Sequence, residues 1–193
     1  MKFIYLFLLT TLYLQSYEFD HKIQKDESGF WGEHYNMPKY SALAVLSIAA
    51  FEGSQSRLGE TSYKSLEAGL LSQVVTEGLK KATDRTRPRN TDNPHDWGEG
   101  GESFPSGHVS GMTALVTPFI LEYQKDYPIM HLLWALPLHQ MGGRLKAQAH
   151  WQSDVIVGAL VGFASGYYSH KRDYPLIVSL SKDNFFLGIK HAF

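Results

Sequence analysis

The chain has 193 residues, a length that suits a single domain. It carries 18 Lys and Arg residues against 19 Asp and Glu residues, and this near balance argues against a general nucleic-acid-binding protein. The sequence contains no cysteine, which excludes disulfides, thiolate metal sites and a cysteine nucleophile.

The first sixteen residues predict export. Lys2 is followed by an uncharged run over residues 3–14 and by the small Ser16, after which the chain becomes polar. This order is typical of a secretory signal peptide. Leu14 stands where a smaller residue would suit cleavage, so an uncleaved N-terminal anchor is the alternative. A buried N-terminal helix fits less well because the run opens the chain. We expect residues 1–16 to be a signal peptide or anchor, and residues 17–193 to form one periplasmic or otherwise exported domain.

Apolar periodicity predicts a helical body after this leader. Residues 17–39 are polar with scattered aromatics and are expected to form an arm packed on that body. Helices are predicted at 41–51, 62–86, 109–124, 128–141 and 147–169, with a loop at 89–107 and a small hairpin in the tail. Four apolar runs of about 11 to 14 residues are shorter than the ~20 residues needed to cross a bilayer, which favours a globular bundle.

Two stretches could bind an anion. Lys80 and Arg87 are seven residues apart, which would place them on one face of a helix ended by Pro88. Downstream, Ser106 is a good N-cap for a following helix, whose exposed amides attract anions. Each feature alone has an ordinary explanation, a solvated helix end in the first case and a polar cap in the second.

A third stretch carries an imidazole and a carboxylate. His150 precedes Asp154 by four residues, so both would share a face of one helix, and Arg144 lies six residues before His150. Asp154 could accept a hydrogen bond from one ring nitrogen and leave the other free, as in nucleophilic triads. An isolated pair at this spacing is more often a helix surface pair.

Together, these stretches form three motifs in order. They are Lys80 with six residues to Arg87-Pro88, then Pro105-Ser106-Gly107-His108, then Arg144 with five residues to His150 and three to Asp154. The pattern resembles the three-part signature of the type 2 phosphatidic acid phosphatase (PAP2) superfamily, which includes bacterial acid phosphatases, lipid phosphatases and vanadate haloperoxidases. Their joint occurrence over about 75 residues is highly specific. One departure is Gly143, where the family usually has a serine that would add one phosphate contact.

The resemblance implies a single-domain, all-α bundle in which the three motifs converge. It assigns phosphate binding to five groups: Lys80, Arg87, Ser106, the Gly107 amide and Arg144. His150 is the expected nucleophile, forming a phosphohistidine, and Asp154 would fix its tautomer. His108 would protonate the leaving oxygen and then activate water. No cofactor is expected and no metal, because three converging cations would repel a divalent ion.

Substrate choice stays open at this level. The principal expectation is a metal-independent phosphatase acting on soluble phosphate monoesters. The alternative is a membrane-associated lipid phosphatase acting on phosphatidic acid, phosphatidylglycerol phosphate, undecaprenyl pyrophosphate or lipid A, touching the membrane through the N-terminal segment. Trp97, Phe104 and Trp151 could form a lipid-facing rim, although core packing is the commoner use of such residues. A haloperoxidase is a remote alternative, and loss of catalysis is disfavoured because every charged motif residue is present.

Overall fold

The computed structural model describes residues 19–32 and 35–172, together with the backbone of 176–180 and 185–189. The expected signal peptide or anchor at 1–16 lies outside the described residues. The helices are α1 (Met37–Glu52), α2 (Arg57–Thr83), α3 (Gly107–Tyr123), α4 (Ala135–Lys146) and α5 (Gln152–Lys171), with 3-10 turns at Gly29–Trp31 and Pro128–Trp134. Strands β1 (Leu176–Leu180) and β2 (Phe185–Ile189) pair antiparallel, as expected for the C-terminal hairpin. The predicted all-α bundle is confirmed.

Helix α3 lies at the centre of the bundle. Its residues are mostly apolar or small, the composition of a fully buried helix, and most of them are buried. It contacts all four other helices, α5 and α2 most extensively. The approach to α5 is close because a Cβ on Gly158, Gly162 or Gly166 would lie 2.6, 2.2 or 2.4 Å from atoms of the α3 segment. The N-terminal end of α3 is thereby held directly against α5.

Residues 19–32 form an arm that packs on the body, as the sequence predicted. The backbone amide of His21 donates to Gln152 Oε1 at 3.0 Å, and Gln152 Nε2 donates back to His21 O at 3.0 Å. Gln148 Nε2 donates to Ile23 O at 2.7 Å. The arm is therefore fixed to the turn that precedes α5 and to the first residue of α5.

The first motif does not lie on a single helix, and this expectation was wrong. Helix α2 ends at Thr83, where Asp84 adopts a left-handed conformation with φ 45° and its amide donates to Lys80 O at 2.8 Å. A left-handed residue closes a helix by satisfying one of its last carbonyls. Arg87 therefore follows the helix instead of sharing a face with Lys80, and Pro88 is not what ends it.

The third motif also departs from the predicted helix. Residues 147–151 form a turn, and α5 begins only at Gln152. Asp154 sits in its first turn and accepts the Trp151 amide at 2.8 Å, a contact that caps the helix start. His150 precedes the helix, so the shared face predicted for His150 and Asp154 was wrong. The helix expected at 128–141 is likewise divided into a 3-10 turn and α4.

Within the described part of the chain, no helix combines the length and the apolar character needed to cross a membrane.

Candidate active site

The three motifs meet at one cavity of about 520 Å³. Six of the eight residues singled out in the sequence line it: Lys80, Arg87, Gly107, His108, Arg144 and His150. The other two, Ser106 and Asp154, are fully buried and are not part of its lining. The convergence expected from the resemblance is thus present, although two of the motifs are not built on the continuous helices that the sequence predicted.

Five Lys and Arg residues line the cavity, and the three that belong to the motifs have no carboxylate partner among the described residues. Lys80 Nζ donates to Glu102 O at 2.7 Å, and Arg87 Nη2 donates to the same carbonyl at 3.2 Å. Arg87 also donates from Nε to Gly101 O at 3.0 Å. Arg144 has a buried Nε with no acceptor in the described residues. Backbone carbonyls orient the first two side chains without cancelling their charge, and the lining holds five cationic side chains against one carboxylate, that of Glu77.

Burial and mutual repulsion weaken proton binding by these cations. Burial is the larger cause of the lowered pKa values, and repulsion from neighbouring arginines adds to it. The pKa of Lys80 is lowered by burial and by Arg87, and that of Arg144 falls to about 10 by burial and by Arg87. Lys80 and Arg144 would be stabilised by an anion placed between them, which is the usual occupant of such a cluster.

The start of α3 provides a second kind of anion donor. Ser106 is the N-cap residue, as predicted, but its side chain makes no capping hydrogen bond. Its Oγ is buried and has no partner within the described residues. The first amides of a helix lack internal acceptors and carry partial positive charge, and Gly107 supplies the first of them. Gly107 therefore lies at the cavity with the cations, and the buried Ser106 hydroxyl lies one residue before it.

His150 is held in one tautomer. Its Nδ1 lies 2.7 Å from Ser103 O, and because a carbonyl can only accept, Nδ1 carries the proton and the lone pair is on Nε2. The residue is 3% exposed, and burial lowers the pKa of the imidazole to about 4 despite the nearby Asp154 carboxylate. His150 is therefore neutral near neutral pH, with a nucleophilic nitrogen available on the side of the ring that Ser103 does not occupy.

Asp154 does not hold His150 directly, which corrects the expected hydrogen bond. Its Oδ2 is 3.8 Å from His150 Nδ1, beyond hydrogen-bonding distance. The same oxygen accepts from Ser103 Oγ at 2.5 Å and from the Trp151 amide at 2.8 Å. Burial would raise the pKa of this carboxyl, but His150, Arg85 and Ser103 together lower it. Asp154 thus fixes the residue whose carbonyl holds His150.

His108 faces the cavity from the first turn of α3. Burial and the adjacent Arg144 lower the pKa of its imidazole to about 4. Its ring lies 4.7 Å from that of Tyr35, and the Arg144 guanidinium lies 5.4 Å from the same Tyr35 ring. An anion bound beside Arg144 would offset this effect and raise the pKa of His108, so that ligand binding favours its acid form.

Sequence reasoning missed several supporting residues. Ser103 and Arg85 touch Asp154, and Tyr35 covers His108, yet none belongs to the three motifs. Arg85 lies within the charged stretch at 80–89, for which a solvated helix end is the ordinary explanation, whereas Arg85 is only 1% exposed. To find Arg85, sequence reasoning would have had to recognise that the helix ends within this charged stretch. Trp151 follows the commoner of its two interpretations, core packing: it is fully buried and donates from Nε1 to Thr86 O at 2.9 Å, so it is not part of a lipid-facing rim.

The cavity combines a neutral histidine with cations that lack carboxylate partners and with the amide at the start of a helix. Such a site is suited to a tetrahedral oxyanion. The histidine and the anion donors come from separate segments gathered around a central helix.

Comparison with known proteins agrees with a site of this kind. The family model of the PAP2 superfamily matches residues 64–175. A lipid A 4'-phosphatase of Bacteroides thetaiotaomicron is 24% identical over 165 residues, covering 81% of this chain and 72% of the relative. The crystal structure of Aquifex aeolicus LpxE has a TM-score of 0.51 and 24% identity, covering 70% of this chain and 84% of that one. The chain belongs to the PAP2 superfamily. It is a phosphatase, a phosphoric monoester hydrolase.

Proposed function

We propose that this protein removes the phosphate from a phosphorylated lipid, through a covalent phosphohistidine at His150 and without a metal ion. The observation that carries the lipid assignment is the exposed apolar surface on the two helices that also line the cavity. Support also comes from the lipid A 4'-phosphatase among its relatives. Soluble phosphate monoesters, the principal expectation from sequence, become the second candidate.

The apolar surface continues along the two helices that border the cavity. Pro38 and Lys39 of α1, and Gln73 and Glu77 of α2, line the cavity itself. Exposed apolar side chains follow on the same helices: Tyr40, Leu43, Leu46, Leu70 and Val74, with exposures of 49 to 72%. Exposed apolar patches of this kind mark contacts with other apolar matter. A lipid could therefore place its phosphate among the cations while its acyl chains lie against α1 and α2.

The proposed reaction begins with attack on phosphorus. His150 Nε2 donates its lone pair to phosphorus, the bond to the leaving oxygen breaks, and His108 gives that oxygen a proton. The negative oxygens of the transition state are stabilised by the cations and helix-start donors: Lys80, Arg87, Arg144, Ser106 and the Gly107 amide. The products of this half-reaction are a phosphohistidine and a lipid alcohol.

Water completes the cycle. His108, now neutral, accepts a proton from water as its oxygen attacks the phosphohistidine, and the bond between phosphorus and Nε2 breaks. Inorganic phosphate leaves and His150 returns to its neutral form, still oriented by Ser103 O. The His108 imidazole donates a proton in the first step and takes one from water in the second, so it ends the cycle in the protonation state in which it began.

We also propose that the protein works outside the cytoplasmic membrane, carried there by residues 1–16. The order of charge, apolar run and small residue in that segment supports export. An anchor would keep the apolar faces of α1 and α2 close to lipid.

The decisive assay compares substrates on one preparation. Purified full-length protein is given a lipid phosphate in mixed micelles, p-nitrophenyl phosphate in the same micelles, and bromide with peroxide and vanadate. We expect kcat/KM to be highest for the lipid phosphate. Val74→Ser should lower kcat/KM for the lipid and leave hydrolysis of p-nitrophenyl phosphate unchanged.

A matched control is Ile129→Ser, at an exposed apolar position in a 3-10 turn that does not line the cavity. This control should affect neither substrate. Equal loss with both substrates in Val74→Ser, or a preference for p-nitrophenyl phosphate in the unaltered protein, would favour the soluble-monoester alternative. Bromide oxidation with no phosphate release would instead show a haloperoxidase.

A further inference from the structure

Arg85 is a buried cation whose donors are all engaged. Its Nη1 donates to Asp154 Oδ1 at 2.6 Å and to Ser153 Oγ at 2.8 Å. Its Nη2 donates to Asp20 Oδ2 at 2.7 Å, and Nη2 and Nε both donate to Pro94 O. A guanidinium has five N–H groups in a rigid fork, and all five have acceptors here. The side chain therefore has one defined position.

Asp20 reaches this arginine from the N-terminal arm. Its Oδ1 accepts the Ser153 amide at 2.7 Å, and its Oδ2 accepts Ser153 Oγ at 2.6 Å as well as Arg85. Asp20 is 5% exposed, and no part of the phosphate-binding motifs supplies it. The arm thus contributes a buried carboxylate to a site formed otherwise by residues 85–154.

A continuous chain of hydrogen bonds runs from Asp20 to the nucleophile. Arg85 joins Asp20 to Asp154, Asp154 accepts from Ser103 Oγ at 2.5 Å, and Ser103 O accepts from His150 Nδ1 at 2.7 Å. Each member is 5% exposed or less. Displacement of any one member would rotate the next, and the last of them sets the tautomer and the direction of the His150 ring.

We propose that Asp20 and Arg85 are positioning residues for His150, acting through Asp154 and Ser103, and that the N-terminal arm is therefore part of the catalytic apparatus. This inference rests on the proposed function of His150 as nucleophile. Arg85 and Asp20 do not line the cavity, so they influence the attack on phosphorus and not the binding of the phosphate. A positioning role of this kind lowers kcat and leaves KM almost unchanged, because displacement of a reacting atom by about 1 Å can cost ~100-fold in rate.

The test uses the full chain with Asp20→Asn, which preserves shape and removes the charge. With p-nitrophenyl phosphate as substrate, we expect kcat to fall by about 10- to 100-fold while KM and the inhibition constant of inorganic phosphate stay within about threefold. Asp92→Asn is the matched control: Asp92 also pairs with the arm, through Lys22 at 2.7 Å, but its side chain is 87% exposed and lies outside this chain of hydrogen bonds. Its kcat should equal that of the unaltered protein.

A second variant guards against misfolding of the first. Ser153→Ala removes one hydroxyl that bridges Asp20 and Arg85 and leaves both charges in place, and it should show a smaller fall in kcat with the same unchanged KM. Equal kcat for Asp20→Asn and Asp92→Asn overturns the inference while leaving the proposed function intact. A rise in KM as large as the fall in kcat in Asp20→Asn also overturns the inference. If Asp20→Asn does not fold, a normal kcat in Ser153→Ala overturns it. No hydrolysis by the unaltered protein would refute the proposed function itself.

Discussion

Gly158 does not line the cavity, but a single methyl group there should impair the phosphate site by displacing Ser106. A Cβ at Gly158 would lie 2.6 Å from Ser106 O and 3.3 Å from both Ser106 N and Ser106 Cβ. Ordinary contact begins near 3.4 Å, so the carbonyl is closer than that by about 0.8 Å. Gly158→Ala must therefore move either Ser106 or α5.

Neither movement is easy. Ser106 is held at both ends of its backbone, with its amide donating to Asp154 O at 2.9 Å and its carbonyl accepting the Ser110 amide at 3.0 Å. Helix α5 is held by similarly close contacts at Gly162 and Gly166. Inserting a methyl group into such a closely packed contact costs about 1–3 kcal/mol of unfolding free energy.

The expected result is a loss of both activity and stability. A displacement of Ser106 by several tenths of an ångström at the phosphate should reduce kcat/KM by about 10- to 100-fold. Gly78→Ala is the matched control, because nothing lies within 4 Å of a Cβ at this exposed helical position. That change should raise the unfolding free energy by about 0.4–1 kcal/mol and leave kcat/KM unchanged.

Steady-state hydrolysis of p-nitrophenyl phosphate and denaturant unfolding measure the two effects. If Gly158→Ala retains kcat/KM within twofold of Gly78→Ala, then Ser106 does not take part in phosphate binding or α5 does not constrain it. Either case would contradict the reasoning that links Gly158 to the phosphate site.

Three further predictions concern the chemistry, the pH dependence and the leader. Activity should survive EDTA, and vanadate should inhibit by imitating pentacoordinate phosphorus; loss on chelation with recovery on adding zinc or magnesium would contradict a cation-only site. His150 has a pKa lowered to about 4 in the folded protein against 6.5 when unfolded, so the unfolded chain binds more protons between those values and stability should fall as the pH drops from 6.5 towards 4. Denaturant unfolding should show a shallower fall for His150→Gln, and an identical pH dependence would refute the buried neutral imidazole. Removal of residues 1–16 should leave a folded enzyme active on p-nitrophenyl phosphate without detergent, and activity only in detergent would show that the body itself requires lipid.

The sequence predicted the site better than it predicted the elements that carry it. Motif spacing identified Lys80, Arg87 and His150 as residues that act together. Their placement on helices was inferred from periodicity. Apolar periodicity ends at Leu79 and Pro88 is the next helix breaker, so the sequence does not reveal that Asp84 between them turns left-handed. The burial of Arg85 could not be predicted because its partners, Asp20 and Asp154, are 65 and 69 residues away in the chain.

Capping of α5 explains why His150 lies before the helix and not on it. Spacing by four residues predicts a shared helix face for His150 and Asp154, but Asp154 is used to cap the start of α5 through the Trp151 amide. His150 is consequently placed in the preceding turn, where a backbone carbonyl can hold its Nδ1. The hydrogen bond from His150 Nδ1 to Ser103 O is a tertiary contact between residues 47 apart in the chain, which no local pattern could indicate.

The central claim is that His150 carries the phosphoryl group during turnover. The most direct measurement is a rapid acid-free quench of the protein with phosphorus-labelled p-nitrophenyl phosphate, followed by mapping of the labelled residue. His108→Ala should accumulate label on His150, because this substrate leaves without a proton while the removal of phosphate by activated water is slowed. His150→Ala should carry no label and show no turnover. Full turnover in His150→Ala, or label on another residue in His108→Ala, would contradict the account.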